Sequence, residues 1–382
     1  MGKKRMAFVD LCNYADWPMG GMLQYELQIL ETLTEQYQVD LWGVRVDGKS
    51  PDPVIVKGRS YPVQTFAHVR RGRRLIPNFW RGLALGKNRR AFAPYDIIYV
   101  HTGSCAVAAA WRLKTENNLL VYHQHGLQYL SDASLKTLLQ RPFMKLAQET
   151  ADFSFVVTGP EELKAYAKTR RQQERLVAVG SPVNTAVPKE ERQSNPLLTF
   201  LYVGRLAPIK RVPLLVDLFG QFCKRHEEDC RLLIVGDGEE HEAVRRAIES
   251  NGLQPQVRLT GAVAAAEVAS YLRQADVFLT ASAGEGVSLA VLEAYAAGLP
   301  VVCFSVPGLQ EQVRDGHTGA VAREGDKEGF LTAMERVADQ RQTLSAYCRE
   351  EASRYSKETI GAQIAAEIER RYEKNQRHFT GL

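Results

Sequence analysis

No stretch of about 20 consecutive apolar residues occurs in this chain, the length a bilayer-spanning helix requires. A spanning helix is therefore not expected. Basic Lys3, Lys4 and Arg5 are followed by no long apolar core, so the N-terminus reads as the approach to a strand rather than a signal peptide. Six scattered cysteines form no Cys-x-x-Cys pair. Reduced thiols in a cytosol suit that pattern better than a disulfide framework or a zinc site. No Asp-x-Asp occurs anywhere, and such carboxylates are a common means of holding a diphosphate through Mg²⁺ or Mn²⁺. Gly-x-Gly-x-x-Gly is also missing after the first apolar run, where the chain reads Cys12-Asn-Tyr-Ala-Asp-Trp-Pro-Met-Gly20-Gly21. That disfavours a dinucleotide oxidoreductase. Solenoid repeats and low-complexity segments are absent too.

What is present is ordinary for a globular protein: 45% hydrophobic residues, 24% charged and a formal charge of +5. At 382 residues the chain exceeds one typical domain, so two are expected. Short apolar runs at 6–11, 39–46, 97–101, 119–123 and 153–158 read as strands. Between 22 and 35, Leu23, Leu27, Leu30 and Leu33 recur at helical spacing. A linker with three prolines covers 180–196, and a second strand series follows at 198–203, 232–235, 257–259, 277–279, 300–304 and 319–321. Alternation of strands with helices predicts an α/β chain with parallel, doubly wound sheets.

The richest stretch runs from Glu285 through Gly286, Val287, Ser288 and Leu289 to Glu293, then to Gly298 and Pro300. Ser288 is a good N-cap type, and Gly298 with Pro300 reads as a helix stop. Free amides and the positive dipole end at 286–289 suit a phosphate. This segment resembles the retaining GT-B glycosyltransferases of glycosyltransferase family 4, which carry a Glu-x7-Glu motif. The resemblance implies two Rossmann-like domains facing across a donor-binding cleft. Residues 1–185 would form the acceptor-side domain, completed by a C-terminal helix at 359–382. Residues 186–358 would bind the nucleotide-sugar. By resemblance Glu285 contacts the donor sugar, Glu293 the ribose, and the 286–289 backbone the diphosphate.

Gly204-Arg205 and Lys210 follow a strand at the edge where open α/β sheets bind ligands. Arg grips phosphate bidentately and Lys adds a point charge. By resemblance both neutralise the leaving diphosphate, so metal-independent chemistry without a cofactor is expected. The loop bearing Gly20 and Gly21 would face the donor phosphate, and Val263 lies where the family's backbone reads the base. Val235-Gly-Asp-Gly238 is accounted for by a structural turn.

His123-Gln-His125 places two imidazoles on one strand face. No third metal ligand is evident, and metal binding is not expected. The family has a His near this point beside the donor sugar; His125 is the first choice and His123 its competitor. Segment 68–90 has no acids, many arginines, and Trp80 and Phe79 interleaved, a composition suited to an anionic membrane surface. Nucleic acid is not expected, since no RNA or DNA module pattern is present.

The function implied is transfer of a sugar, with retention, from a nucleoside-diphosphate donor, UDP-sugars first, to a saccharide or lipid-linked acceptor. The setting would be cytoplasmic, with peripheral contact at the membrane face. A non-hydrolysing nucleotide-sugar epimerase and a non-catalytic glycan-binding scaffold are the alternatives.

Overall fold

A computed structural model describes residues 2–17, 21–71, 78–127, 135–184, 197–226 and 230–380. The chain divides into two compact units, 1–182 with 357–382, and 183–356. Each is built around one parallel sheet.

The first unit contains β1 (Arg5–Val9), β2 (Gln38–Val46), β3 (Val54–Val56), β4 (Arg59–Tyr61), β5 (Val63–Val69), β6 (Ile97–Val100), β7 (Leu119–Gln124), β8 (Phe153–Val157) and β9 (Leu176–Val179). Seven strands form the sheet in the order β5-β2-β1-β6-β7-β8-β9, while β3 and β4 pair as a separate antiparallel hairpin. Every residue of β6, β7 and β8 is buried. Their largely apolar composition follows from this, because helices cover both faces of a parallel sheet.

Helix Gly21–Gln36 buries Leu23, Ile29, Leu30 and Leu33. Helix Lys357–Thr380 packs on it through Ile360, Ile364 and Ile368, a stripe at i, i+4, i+8 with at most 2% exposure. Polar contacts seal the crossing: Thr32 Oγ1 donates to the Lys357 carbonyl at 3.3 Å, and Tyr37 donates to the Ala365 carbonyl at 3.3 Å. Residues 357–380 therefore belong to the first unit although they end the chain.

The second unit carries β10 (Leu198–Val203), β11 (Cys230–Val235), β12 (Val257–Leu259), β13 (Val277–Thr280), β14 (Val301–Phe304) and β15 (Gly319–Ala322). Their order is β12-β11-β10-β13-β14-β15, all parallel. Aromatic residues Phe200, Phe219, Phe278, Phe304 and Phe330 fill its core.

Four strands lie outside the sequence reading. The β3–β4 hairpin carries only three residues per strand, too few to show a period. β5 alternates exposed and buried positions next to the basic segment, so His68 lies on a strand. β9 follows directly on a one-turn polar helix.

Candidate active site

Strand order sets the site of the second unit. The chain leaves β10 for β11 and β12 on one side, then returns to β13 on the other. Parallel sheets bind ligands beyond the strand ends at such a reversal. Gly204 and Arg205 follow β10 there, and residues 281–288 follow β13.

The two loops meet through a charged contact. Lys210 sits in the short turn Pro208–Lys210, and its Nζ lies 2.5 Å from Oε1 of Glu285. Ser282 Oγ donates to the same oxygen at 2.8 Å. Both side chains are mostly enclosed, with 23% of Lys210 and 13% of Glu285 exposed. Arg205 is exposed and makes no ion pair among the described residues. The Gly204 amide donates to Val235 at 3.0 Å, and the Gly236 amide donates to Gly261 at 3.0 Å. Gly236, at φ +139°, permits this approach: a Cβ there would lie 1.9 Å from the Gly204 carbonyl oxygen. Val263 lies half-buried beyond Gly261.

Ser288 caps helix Leu289–Ala296 through its extended backbone, without a side-chain bond. Its amide donates to Gln312 Oε1 at 2.7 Å, and Gln312 Nε2 donates back to the Ser288 carbonyl at 3.2 Å. Ser288 is thus not a free donor as the sequence suggested. The amides of Gly286, Val287 and Leu289 have no acceptor among the described residues. Glu293 lies in the helix's second turn, and burial pushes its carboxyl up to about 7.

The first unit has a corresponding reversal between β1 and β6. Asp10 and Cys12 follow β1, His101 follows β6 and His125 follows β7, while Glu26 comes from helix Gly21–Gln36. His101, His123 and His125 stack with ring centroids 5.0–5.2 Å apart. His101 Nδ1 lies 2.9 Å from His125 Nε2, and the Tyr99 hydroxyl lies 2.5 Å from His123 Nδ1. Burial, reinforced by the neighbouring histidines, holds His101 and His123 well below the usual imidazole range. Burial alone takes His125 down to about 3. His123 is fully buried, whereas the His125 side chain keeps 11% exposure. Glu26 is also fully buried, and burial pushes its carboxyl well up, with Asp10 adding to the effect. Spacing points to none of Asp10, Cys12, Glu26 or His101. The only local signal is that Asp10 and His101 directly follow apolar strands.

Gly21 opens helix Gly21–Gln36; Gly20 lies outside the described residues. Of segment 68–90, residues 72–77 also lie outside them. Residues Asn78–Asn88 form a 3₁₀ helix that buries Phe79 and Leu85. Trp80, Arg81, Lys87, Arg89 and Arg90 are exposed there. No helix among the described residues is long and apolar enough to cross a membrane.

Comparison with known proteins covers most of the chain. Residues 198–340 match the family model "Glycosyl transferases group 1", and residues 19–187 match "Glycosyltransferase Family 4". A phosphatidyl-myo-inositol mannosyltransferase of Mycobacterium leprae is 25% identical over 378 residues, covering 93% of this chain and 94% of that protein. One component of the phosphatidylinositol N-acetylglucosaminyltransferase of Arabidopsis thaliana is 25% identical over 231 residues; the match takes in 60% of this chain and spans about half, 51%, of that relative's length. Among solved structures, sucrose-phosphate synthase from Thermosynechococcus elongatus superimposes with a TM-score of 0.77 at 21% identity, covering 97% of this chain and 100% of that one. An Anabaena protein in complex with UDP and glucose gives 0.72 at 18% identity, covering 96% and 99%.

Proposed function

This chain belongs to glycosyltransferase family 4 and has the GT-B fold, and from that membership we propose that it transfers a sugar from a UDP-sugar with retention and without a catalytic metal. The observation that carries the reading is the Lys210–Glu285 contact at the β10/β13 reversal, beside the Gly286, Val287 and Leu289 amides.

In the proposed reaction the bond between sugar C1 and the diphosphate oxygen breaks. Positive charge develops on the sugar ring and negative charge on the leaving phosphate. Arg205, Lys210 and the three amides stabilise the negative part, a preorganised arrangement that needs little rearrangement during reaction. Gly204 brings the backbone close to the phosphates, and Val263 offers main-chain atoms to the base. Glu285 orients the sugar, and Glu293 accepts hydrogen bonds from the ribose hydroxyls. Gly20 and Gly21 are assigned to the donor phosphate, and His125, the more exposed imidazole of its pair, to the donor sugar, by resemblance to the family. Attack comes from the face the diphosphate leaves, and the departing phosphate takes the acceptor's proton.

UDP is favoured because structural neighbours were solved with UDP. The mycobacterial relative is named for a phosphatidyl-inositol acceptor, which supports a lipid-linked or saccharide acceptor here. The exposed cations and Trp80 of 78–90 would meet an anionic membrane from the cytoplasmic side, and no nucleic acid takes part. Reversing Arg81, Arg89 and Arg90 to Glu is expected to reduce recovery on anionic vesicles; unchanged recovery would reject the membrane contact. The function itself is tested by incubating the chain with UDP-sugars and GDP-mannose, with phosphatidylinositol or a saccharide as acceptor and no added divalent cation, followed by NMR of the product. An α-linked product from an α-donor is expected. An inverted anomer, or donor turnover to an epimer without transfer, would refute the assignment.

A further inference from the structure

We propose that Glu26, His101 and His125 form a binding site for a divalent transition-metal ion of the zinc class. The three ligand atoms are Glu26 Oε1, His101 Nδ1 and His125 Nε2. Their separations are 2.9 Å between the imidazole nitrogens, 3.6 Å from Glu26 to His101 and 3.8 Å from Glu26 to His125. Tetrahedral zinc with bonds of about 2.0–2.2 Å sets its ligand atoms roughly 3.3–3.6 Å apart. The triangle matches one face of that tetrahedron with small adjustment. Two imidazoles and a carboxylate suit zinc, and disfavour Mg²⁺ or Ca²⁺, which take oxygen.

Charge supports the same assignment. Oε1 of Glu26 is buried and accepts no hydrogen bond, yet it points at both imidazole nitrogens. Asp10 is also buried, within the group formed by Asp10, Cys12 and Glu26. No Lys or Arg lies within ion-pair distance of either carboxylate among the described residues. A dication would supply the partner that Glu26 Oε1 lacks, and a buried polar atom without one is costly. Second contacts hold the ligands in place. Cys12 lies 3.8 Å from Glu26 Oε2, a thiol contact on the other oxygen, and Thr102 donates to Asp10. His101 Nε2 lacks a partner with or without metal, so it does not decide between the two states.

The ligands come from helix Gly21–Gln36 and from the ends of β6 and β7, so bound metal would cross-link three rigid elements of the first unit. Arg205, Lys210 and the amides of Gly286, Val287 and Leu289, to which the leaving diphosphate is assigned, lie in the second unit. The proposal is therefore compatible with metal-free phosphate chemistry, and because it takes Nε2 of His125, a donor sugar would meet that residue only through Nδ1.

The test reads metal rather than sugar transfer. The full chain is purified without chelator and its metal content measured by mass spectrometry. The chain is then stripped, checked for folding by circular dichroism, and titrated with Co²⁺ and with Zn²⁺. One equivalent of zinc per chain and the intense visible absorption of tetrahedral Co²⁺ are expected. Glu26→Gln and His125→Gln should each weaken Zn²⁺ binding by more than about 100-fold, beyond the roughly 10–100-fold typical of outer-shell partners. His241→Gln, at an exposed surface pair with Asp237, should leave it unchanged. His125→Gln, at the least buried ligand, keeps the test open if Glu26→Gln does not fold. A folded chain with no Co²⁺ spectrum would mean that the imidazoles only share a hydrogen bond, and would overturn the proposal. Equal affinity in wild type and both ligand variants would overturn it as well.

Discussion

Lys210 shows how far single residues can be read. Its place after an apolar strand was visible, but its 2.5 Å contact with Glu285 spans 75 positions and leaves no local trace. Lys210→Met should lower kcat by about 10²–10³, the usual cost of losing one donor to developing negative charge, and should also lower stability, because the enclosed Glu285 loses its cation. Glu293 gives a pH test. Burial raises its carboxyl from 4.5 to about 7, so between those values the native chain holds a proton that the unfolded chain releases. Its contribution to stability is thus full below about pH 4.5 and declines as pH rises toward 7. Glu293→Gln is expected to abolish that decline in urea titrations run across this range. The proposed ribose contact uses the ionised carboxylate as acceptor, so UDP affinity should climb with pH through 7 in the wild type. In Glu293→Gln only the rise due to the terminal phosphate's own ionisation at about pH 6 should remain, and above about pH 7 the affinity should be about 10–100-fold weaker than in the wild type, as for one hydrogen bond to a charge. Calorimetry that finds the same pH slope in both proteins would remove Glu293 from the ribose.

At the scale of elements, apolar runs carried most of the information. β10 spans 198–203, where sequence alone places it, because a strand buried on both faces is mostly apolar; β12 also lies where the sequence places it, at 257–259, through Val257 and Leu259 on either side of the exposed Arg258. β5 and the β3–β4 hairpin did not show, since their faces are partly exposed and their patterns mix. Tertiary contact also fixes the loop at 285–286 in a way no local pattern reveals. Gly308 has φ +83°, and a Cβ there would lie 2.2 Å from the Glu285 carbonyl oxygen and 2.4 Å from that of Gly286. Neither backbone atom can swing aside as a side chain would. Gly308→Ala should therefore displace the loop, weaken UDP binding, and cost roughly 1–3 kcal/mol of stability. Wild-type UDP affinity in that variant would show that the loop does not hold the diphosphate.

For the molecule as a whole, two alternating series separated by a proline-bearing stretch made two α/β units legible. Which residues meet at each reversal was not, because strand order is set by pairing between distant segments. Helix Lys357–Thr380 illustrates the same limit: its polar composition conceals the Ile360, Ile364 and Ile368 stripe that seats it on the first unit. Ile364→Ala should cost about 2–5 kcal/mol in denaturant unfolding, and a negligible loss would argue against that seat. The central claim is that cationic side chains and backbone amides, rather than a metal, hold a nucleoside diphosphate in the second unit. Titration calorimetry of UDP into wild type and Lys210→Met, in buffer without added Mg²⁺ or Mn²⁺, tests it most directly. The account predicts binding by the wild type and affinity at least about tenfold weaker in the variant, the loss of one charge-assisted contact. Binding that appears only when Mg²⁺ is added, or that is equal in the two proteins, would contradict it.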